Sequence, residues 1–299
     1  MRILITGGTG LIGLHLCKVL LAEDHQLTVL SRNPRSVVAK CGLSVRAMTS
    51  LDEWHPEHTF DAVINLAGEP IVDAYWSAKR KQVLRDSRIG LTEKLVQRIA
   101  ASEQKPQVLL SGSAIGYYGD RGDTVLDETE PSGKDFAAEL CKDWEAAALD
   151  AEKLGVRVCL LRTGLVLSKS GGLLGRMRLP FQLGLGTRLG NGRQWMSWIH
   201  IEDYVAMTLR LLGDEREHGP INMTAPGPVT NTEFTRSLAC TVHRPAFFVA
   251  PGLMLRLLMG ERASLLLEGQ RVLPAKLTAG GVRFKYPELG GALEHLLGH

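Results

Sequence analysis

The chain has 299 residues, enough for one large α/β unit with an appended lobe or for two domains of roughly 150 residues each. Hydrophobic residues make up 44% and charged residues 22%, which excludes intrinsic disorder, and a formal net charge of +3 without a basic block argues against a nucleic-acid partner. No apolar stretch reaches the ~20 residues of a membrane span, and strand character from residue 2 leaves no room for a targeting peptide, so a cytoplasmic location without membrane attachment is expected.

The opening run Met1 to Thr6 predicts a buried strand, and Gly7-Gly8-Thr9-Gly10-Leu11-Ile12-Gly13 follows it directly. A helix then opens, with apolar residues at Leu11, Ile12, Leu16, Val19 and Leu20. Strand, glycine turn and helix in this order are what a dinucleotide pyrophosphate requires. Gly7 turns the chain off the strand, Gly10 admits backbone N–H groups to the anion, and Gly13 lets helix and sheet pack closely. The spacing is G-x-x-G-x-x-G, and Gly7, Thr9, Gly10, Leu11, Ile12 and Gly13 are the candidate cofactor contacts on it. The second strand, Leu27 to Leu30, ends at Ser31-Arg32. No acid stands there to accept from the ribose hydroxyl of NAD; a hydroxyl and a guanidinium suit the 2′-phosphate of NADP instead.

Val45 to Ala47 predicts a short third strand and Asp61 to Leu66 a fourth, closed by Ala67-Gly68-Glu69-Pro70. Leu66, Ala67 and Gly68 at this tip would let backbone approach the cofactor. A helix is expected from about Trp76 to Ala101; its basic residues form a solvated face, and Arg88 near its middle is placed to reach a phosphate. The fifth strand, Val108 to Ser111, delivers Gly112-Ser113-Ala114 and then Tyr117-Tyr118-Gly119. A helix over about Lys134 to Leu154 follows, with Phe136, Leu140 and Trp144 on one face. Val156 to Leu161 is a sixth strand ending in Arg162-Thr163-Gly164, and Arg162 is counted with the cofactor contacts. Alternating strands and helices predict a Rossmann-type, doubly wound parallel sheet.

The alternation stops near Ser168. A glycine- and leucine-rich stretch precedes Trp195 to Asp203. Then come a helix at Tyr204 to Leu212, a strand at Pro220 to Met223 and a helix at Thr232 to Cys240, and the remainder from Arg244 is helical and apolar in places. The expected division is a nucleotide-binding domain over 1–168 and a smaller, mostly helical substrate lobe over 169–299, covering the carboxyl edge of the sheet. Cys17, Cys41, Cys141, Cys159 and Cys240 have no paired spacing, so neither a disulfide framework nor a zinc site is expected. His55 and His58 read as a surface loop, Trp195 and Trp198 as lobe core, and His200 and Asp203 as satisfied structural groups.

The order of these motifs resembles the extended short-chain dehydrogenase/reductases, the NAD(P)-dependent epimerase/dehydratase family. Asp143-Trp144-Glu145-Ala146-Ala147, Leu161 to Leu167 and the tail Arg271 to Leu277 are similar to the atypical YfcH-like "epimerase family protein" subfamily, which implies NADP and an additional small C-terminal domain, here from about residue 244. The resemblance places Ser113 at the family's catalytic serine and implies a tyrosine and a lysine in Y-x-x-x-K on the following helix, with dimers through two helices. The chain departs from it: the residue four before Lys142 is Ala138, and no tyrosine lies on that helix. Tyr75-Trp76-Ser77-Ala78-Lys79 spells the motif before Ser113, at the wrong place in the fold. Tyr117 or Tyr118 could supply a phenol or could simply wall the pocket, and Lys142 could still touch the cofactor ribose. Two readings follow. One is an atypical NADP-dependent oxidoreductase or epimerase acting on a small polar or sugar-like molecule, with Ser113 and Tyr117 as candidate catalytic residues. The other is a non-catalytic NADP-binding module read by a protein partner.

Overall fold

A computed structural model describes residues 1–298. Seven strands form one parallel sheet: β1 (Arg2–Thr6), β2 (Gln26–Leu30), β3 (Arg46–Met48), β4 (Ala62–Asn65), β5 (Val108–Ala114), β6 (Arg157–Thr163) and β7 (Gly219–Met223). Their spatial order is β7-β6-β5-β4-β1-β2-β3. The order reverses at β1, which pairs with β2 on one side and β4 on the other. That reversal opens the crevice in which doubly wound folds bind ligands.

The period-two alternation of the strands divides the core. Ile3, Ile5, Val29, Ile64, Leu110, Leu161 and Ile221 face α1 (Leu11–Ala22), α2 (Pro34–Cys41) and α7 (Ile201–Gly213), meeting Leu16, Leu20, Val37, Tyr204 and Leu211. Leu4, Val63, Leu109, Val158 and Leu160 face the other way, onto α4 (Leu91–Ala101) and the end of α5 (Phe136–Leu149) through Leu95, Ile99 and Ala148. A strand buried on both faces is what its unbroken apolar run encodes.

The elements differ from the sequence reading in several places. Asn33 caps α2 by accepting from Ser36 N, with Pro34 in the first turn, a start signal that the sequence displays and the reading passed over. The helix expected from Trp76 is α3 (Ala78–Arg85), capped by Ser77, and α4, joined through a π-helical turn at Asp86–Gly90. β6 runs two residues further than expected, so Arg162 lies inside the strand. The chain also does not leave the sheet for good at residue 168. α7 packs on α1, and β7 extends the sheet beside β6 with Asn222 opposite Arg162.

The smaller lobe has its own core, in which α6 (Gly172–Gln182), α8 (Asn231–Thr241) and the C-terminal helix (Leu289–Leu297) surround Trp198, Phe181 and Phe234. Short ladders stitch it together: 165–167 with 198–200, 187–189 with 248–250, and 195–196 with 229–230. The C-terminal segment returns to the main core, where 271–272 pairs with 125–126 and Leu277 is fully buried.

Candidate functional site

The turn after β1 is built so tightly that three positions reject a side chain. Gly7 has φ +71°, and a Cβ there would stand 2.7 Å from the backbone carbon of Leu66. A Cβ on Gly13 would lie 2.4 Å from the Gly7 carbonyl oxygen, and one on Gly8 2.8 Å from both methyls of Val29. The turn is closed by Gly10 N–H donating to Gly7 O at 3.0 Å. Helix α1 begins at once with Gly10 as its cap residue and no side-chain cap. Its first N–H groups and the positive end of its dipole therefore point at the crevice, the geometry that receives a pyrophosphate. Leu11 and Ile12 are half-buried and Gly10 is exposed. The Leu11 side chain reaches the start of α6, so near that a Cβ on Gly172 would come within 3.1 Å of it. The lobe thus closes over the mouth of the turn.

The tip of β4 lies against this turn. Leu66 N–H donates to Thr6 O at 3.1 Å and Ala67 N–H to Thr6 Oγ1 at 3.1 Å. A buried polar chain continues below: Thr6 Oγ1 donates to Asn65 Oδ1, Asn65 Nδ2 to Thr92 Oγ1 and Ser111 Oγ, and Trp144 Nε1 to Thr92 Oγ1. Satisfied buried networks of this kind fix the relative placement of the elements they join. Gly68 backs onto Arg88, whose Nη2 donates to Glu69 O at 3.0 Å. Arg88 is half-buried over the Trp144 ring and fixes the β4 tip, and burial lowers its pKa. At the end of β2, Arg32 is 93% exposed and donates to Glu69 Oε1 at 3.1 Å; Arg80 approaches the other carboxylate oxygen at 3.5 Å. Ser31 bonds locally, its N–H to Met48 O and its Oγ to Asn33 O. Arg32 and Arg80 thus flank one carboxylate beside the turn.

Ser113, on β5, is buried and donates to Glu145 Oε1 at 2.6 Å. Glu145 lies on α5, which comes this near because residue 112 is glycine: a Cβ there would stand 2.8 Å from the Trp144 ring. Arg162, from β6, takes the same carboxylate with two parallel bonds, Nε to Oε1 and Nη2 to Oε2, both 2.9 Å. Its Nη1 donates to Tyr118 OH and Glu128 O, and its guanidinium lies 3.6 Å from the centre of the Tyr117 ring. Burial opposes the charge on Arg162, and the Glu145 carboxylate more than restores it, so the guanidinium is held above its ordinary value. Burial pushes the Tyr118 phenol up to about 12, and its OH donates to Asn222 Oδ1 at 2.7 Å. Cys141, one turn before Glu145, sets its thiol against Ser113 and the Ala114 backbone, and burial pushes that thiol up to about 12. Ser113 therefore has its proton directed at Glu145, leaving its oxygen as an acceptor.

The expected residues divide accordingly. Gly7, Thr9, Gly10, Leu11, Ile12, Gly13, Leu66, Ala67, Gly68 and Arg32 gather at the crevice; Tyr117 is half-buried, its ring against the Arg162 guanidinium that pairs with Glu145. Arg162, counted with the cofactor contacts, is 3% exposed and engaged with Glu145, because the longer strand turns its side chain inward. Lys142 is exposed, and the positions of α5 that reach Ser113 are Cys141 and Glu145. Tyr75 is 61% exposed and donates to Leu258 O, away from Ser113. The sequence reading missed Glu145; the helical spacing of Cys141, Trp144 and Ala148 was the signal for it. His200 accepts from Glu202 N–H and lies 3.2 Å from His295, and Asp203 accepts from Lys285 and Tyr286 N–H. Among the described residues no group of three His, Cys, Asp or Glu side chains could hold a metal, and no helix is long and apolar enough to cross a membrane.

A parallel sheet that reverses at a glycine turn, followed by a serine strand and a packed α5, defines a Rossmann-type protein of the short-chain dehydrogenase/reductase kind. Comparison with known proteins narrows this class. The family model described as NAD dependent epimerase/dehydratase matches residues 3–223, and a domain of unknown function, DUF1731, matches 250–296. An epimerase family protein of Mycobacterium leprae is 40% identical over 302 residues, covering 97% of this chain and 94% of its own. The chloroplastic SDR39U1 homolog of Arabidopsis thaliana is 40% identical over 303 residues, covering 99% and 87%. The crystal structure of human epimerase family protein SDR39U1 with NADPH superposes with a TM-score of 0.90 at 35% identity, covering 99% of both chains. The chain belongs to the NAD dependent epimerase/dehydratase family, in its atypical branch with the extra C-terminal domain.

Proposed function

We propose that the chain is an NADP(H)-binding oxidoreductase or epimerase that acts on a small polar or sugar-like substrate without the family's tyrosine. The observation that carries the reading is the uncapped start of α1 on a turn that admits no side chain, with Arg32 at the neighbouring strand tip. The cradle fits a dinucleotide: backbone N–H groups of residues 10–13 for the pyrophosphate, Arg32 for the 2′-phosphate, and the small residues Ala67 and Gly68 where the β4 tip borders the crevice. The solved human relative with NADPH supports the choice of cofactor. When bound, the nicotinamide supplies or takes up hydride. Ser113 would accept a hydrogen bond from a substrate hydroxyl while its own O–H stays donated to the Glu145 carboxylate, and Tyr117 would wall the pocket. The test is nicotinamide absorbance with small aldehydes and ketones, together with chromatographic product analysis of nucleoside-diphosphate sugars, because epimerisation returns the hydride and leaves no net absorbance change, with Ser113→Ala as control. Turnover lost in the variant with NADPH affinity unchanged supports an enzyme.

One observation favours the second reading, a non-catalytic NADP-binding module. α5 presents a buried thiol and an ion-paired carboxylate to Ser113 where the family's chemistry calls for a phenol and an ammonium. Tight NADPH binding without turnover of any compound in the panel would favour it.

A further inference from the structure

We infer that the smaller lobe carries a second ligand site, a cleft beside α8 that takes a phosphorylated small molecule bearing an aromatic ring. The cleft has a volume of about 850 Å³ and is bounded by α8, the 243–249 segment and Arg188 of the 187–189 ladder. Neither the glycine turn nor Arg32 nor Ser113 contributes to it.

Its lining contains Arg188, Arg236 and Arg244 and no carboxylate. Among the described residues none of the three arginines forms an ion pair; Glu233, one turn before Arg236, is taken by the Thr230 N–H and hydroxyl in the cap of α8. Arg188 Nη1 donates to Asn191 O and Arg244 Nε to Gln182 O, which anchors two of the side chains and leaves further N–H groups on each. They are not needed to close the helix, because the backbone N–H groups of Val242, His243 and Arg244 already meet its last carbonyls. Unpaired guanidiniums that line one concavity suit a dianionic phosphate, which their planar forks bind bidentately.

Two further observations point to a ligand. Thr235, also in the lining, is 4% exposed, and its Oγ1 is buried without a hydrogen-bond partner. Buried hydroxyls are rarely left so. Phe247 and Phe248 also line the cleft and are 83% and 52% exposed, an aromatic surface on which a ring can stack.

The experiment is calorimetric titration of the whole protein, saturated with NADPH to keep phosphate out of the glycine turn, using phenyl phosphate and, separately, inorganic phosphate. The expected result is one site for phenyl phosphate, weakened roughly tenfold or more in Arg236→Ala/Arg244→Ala, with inorganic phosphate binding more weakly. NADPH affinity should not change in that variant, because both side chains are exposed and remote from the glycine turn. Absence of saturable binding, or equal binding to wild type and variant, would overturn the site. Equal affinities for the two probes would overturn the aromatic part of the assignment. If the protein does not bind NADPH, the same comparison is made without it, so the fate of this site is separable from that of the cofactor reading.

Discussion

Glu145→Gln is the most informative single change. The wild-type carboxylate accepts two bonds of 2.9 Å from Arg162 and one of 2.6 Å from Ser113, in a site where both partners are nearly inaccessible. Glutamine keeps the shape but turns an N–H donor toward the guanidinium and leaves the Arg162 charge buried and unpaired. Losing one partner of such a pair costs about 3–5 kcal/mol, a large share of the 5–15 kcal/mol that typically holds a domain together. At about 2–4 °C per kcal/mol this lowers Tm by roughly 10 °C. Thermal and urea unfolding measure it, with Glu145→Leu/Arg162→Leu as the companion. Replacing both members by apolar side chains removes the stranded charge, so the double variant should lie within about 2 kcal/mol of wild type and well above Glu145→Gln. A Glu145→Gln protein within 1 kcal/mol of wild type, or a double variant as damaged as the sum of its singles, would show that the pair does not organise the site as described.

Three other outcomes follow from the same geometry. Gly13→Ala brings a Cβ within 2.4 Å of Gly7 O; backbone cannot step aside, so the variant should lose about 1–3 kcal/mol or more by urea unfolding and most of its nucleotide affinity. Burial lowers the pKa of His200 from 6.5 to about 4, against the opposing influence of Glu202 and with His295, Lys285 and His15 adding to it. The unfolded chain therefore binds a proton that the folded one refuses, and stability should fall as pH drops from about 6.5 to 4, by roughly 3 kcal/mol from this group. His200→Gln should flatten that part of a Tm-against-pH profile; an unchanged slope would remove His200 as its source. Glu69→Gln frees Arg32 and Arg80 from their shared carboxylate, and NADPH titration should show several-fold tighter binding, with NADH little changed.

The sheet and the cofactor crevice were legible because their signals are local. Strand, glycine turn and helix occupy consecutive residues, and the apolar runs of β1, β4, β5 and β6 need no partner to be recognised. The role proposed for Arg32 rests on its place after β2, where the structure pairs it with Glu69. What escaped depends on contacts between distant segments. The partner of Ser113 is set by the phase of α5 against β5, which turns Cys141 and Glu145 inward and Lys142 outward. Arg162 changed role because β6 is longer than its apolar core and runs its side chain under Tyr117. β7 reads like any short strand, and only pairing with β6 shows that it belongs to the main sheet. The Thr6–Asn65–Thr92–Trp144 chain joins residues from four elements, none of which announces the others.

The proposed 2′-phosphate contact at Arg32 is tested most directly by titrating wild type and Arg32→Ala with NADPH and NADH, read by nicotinamide fluorescence. A charge-assisted contact to the phosphate is worth about 1.5–3 kcal/mol, so NADPH should bind wild type roughly 10- to 100-fold more tightly than NADH, and Arg32→Ala should erase the difference while leaving NADH affinity as it was. Equal affinities in wild type, or a preference that survives the substitution, would contradict the assignment of Arg32; failure of both nucleotides to bind would contradict the cofactor reading itself.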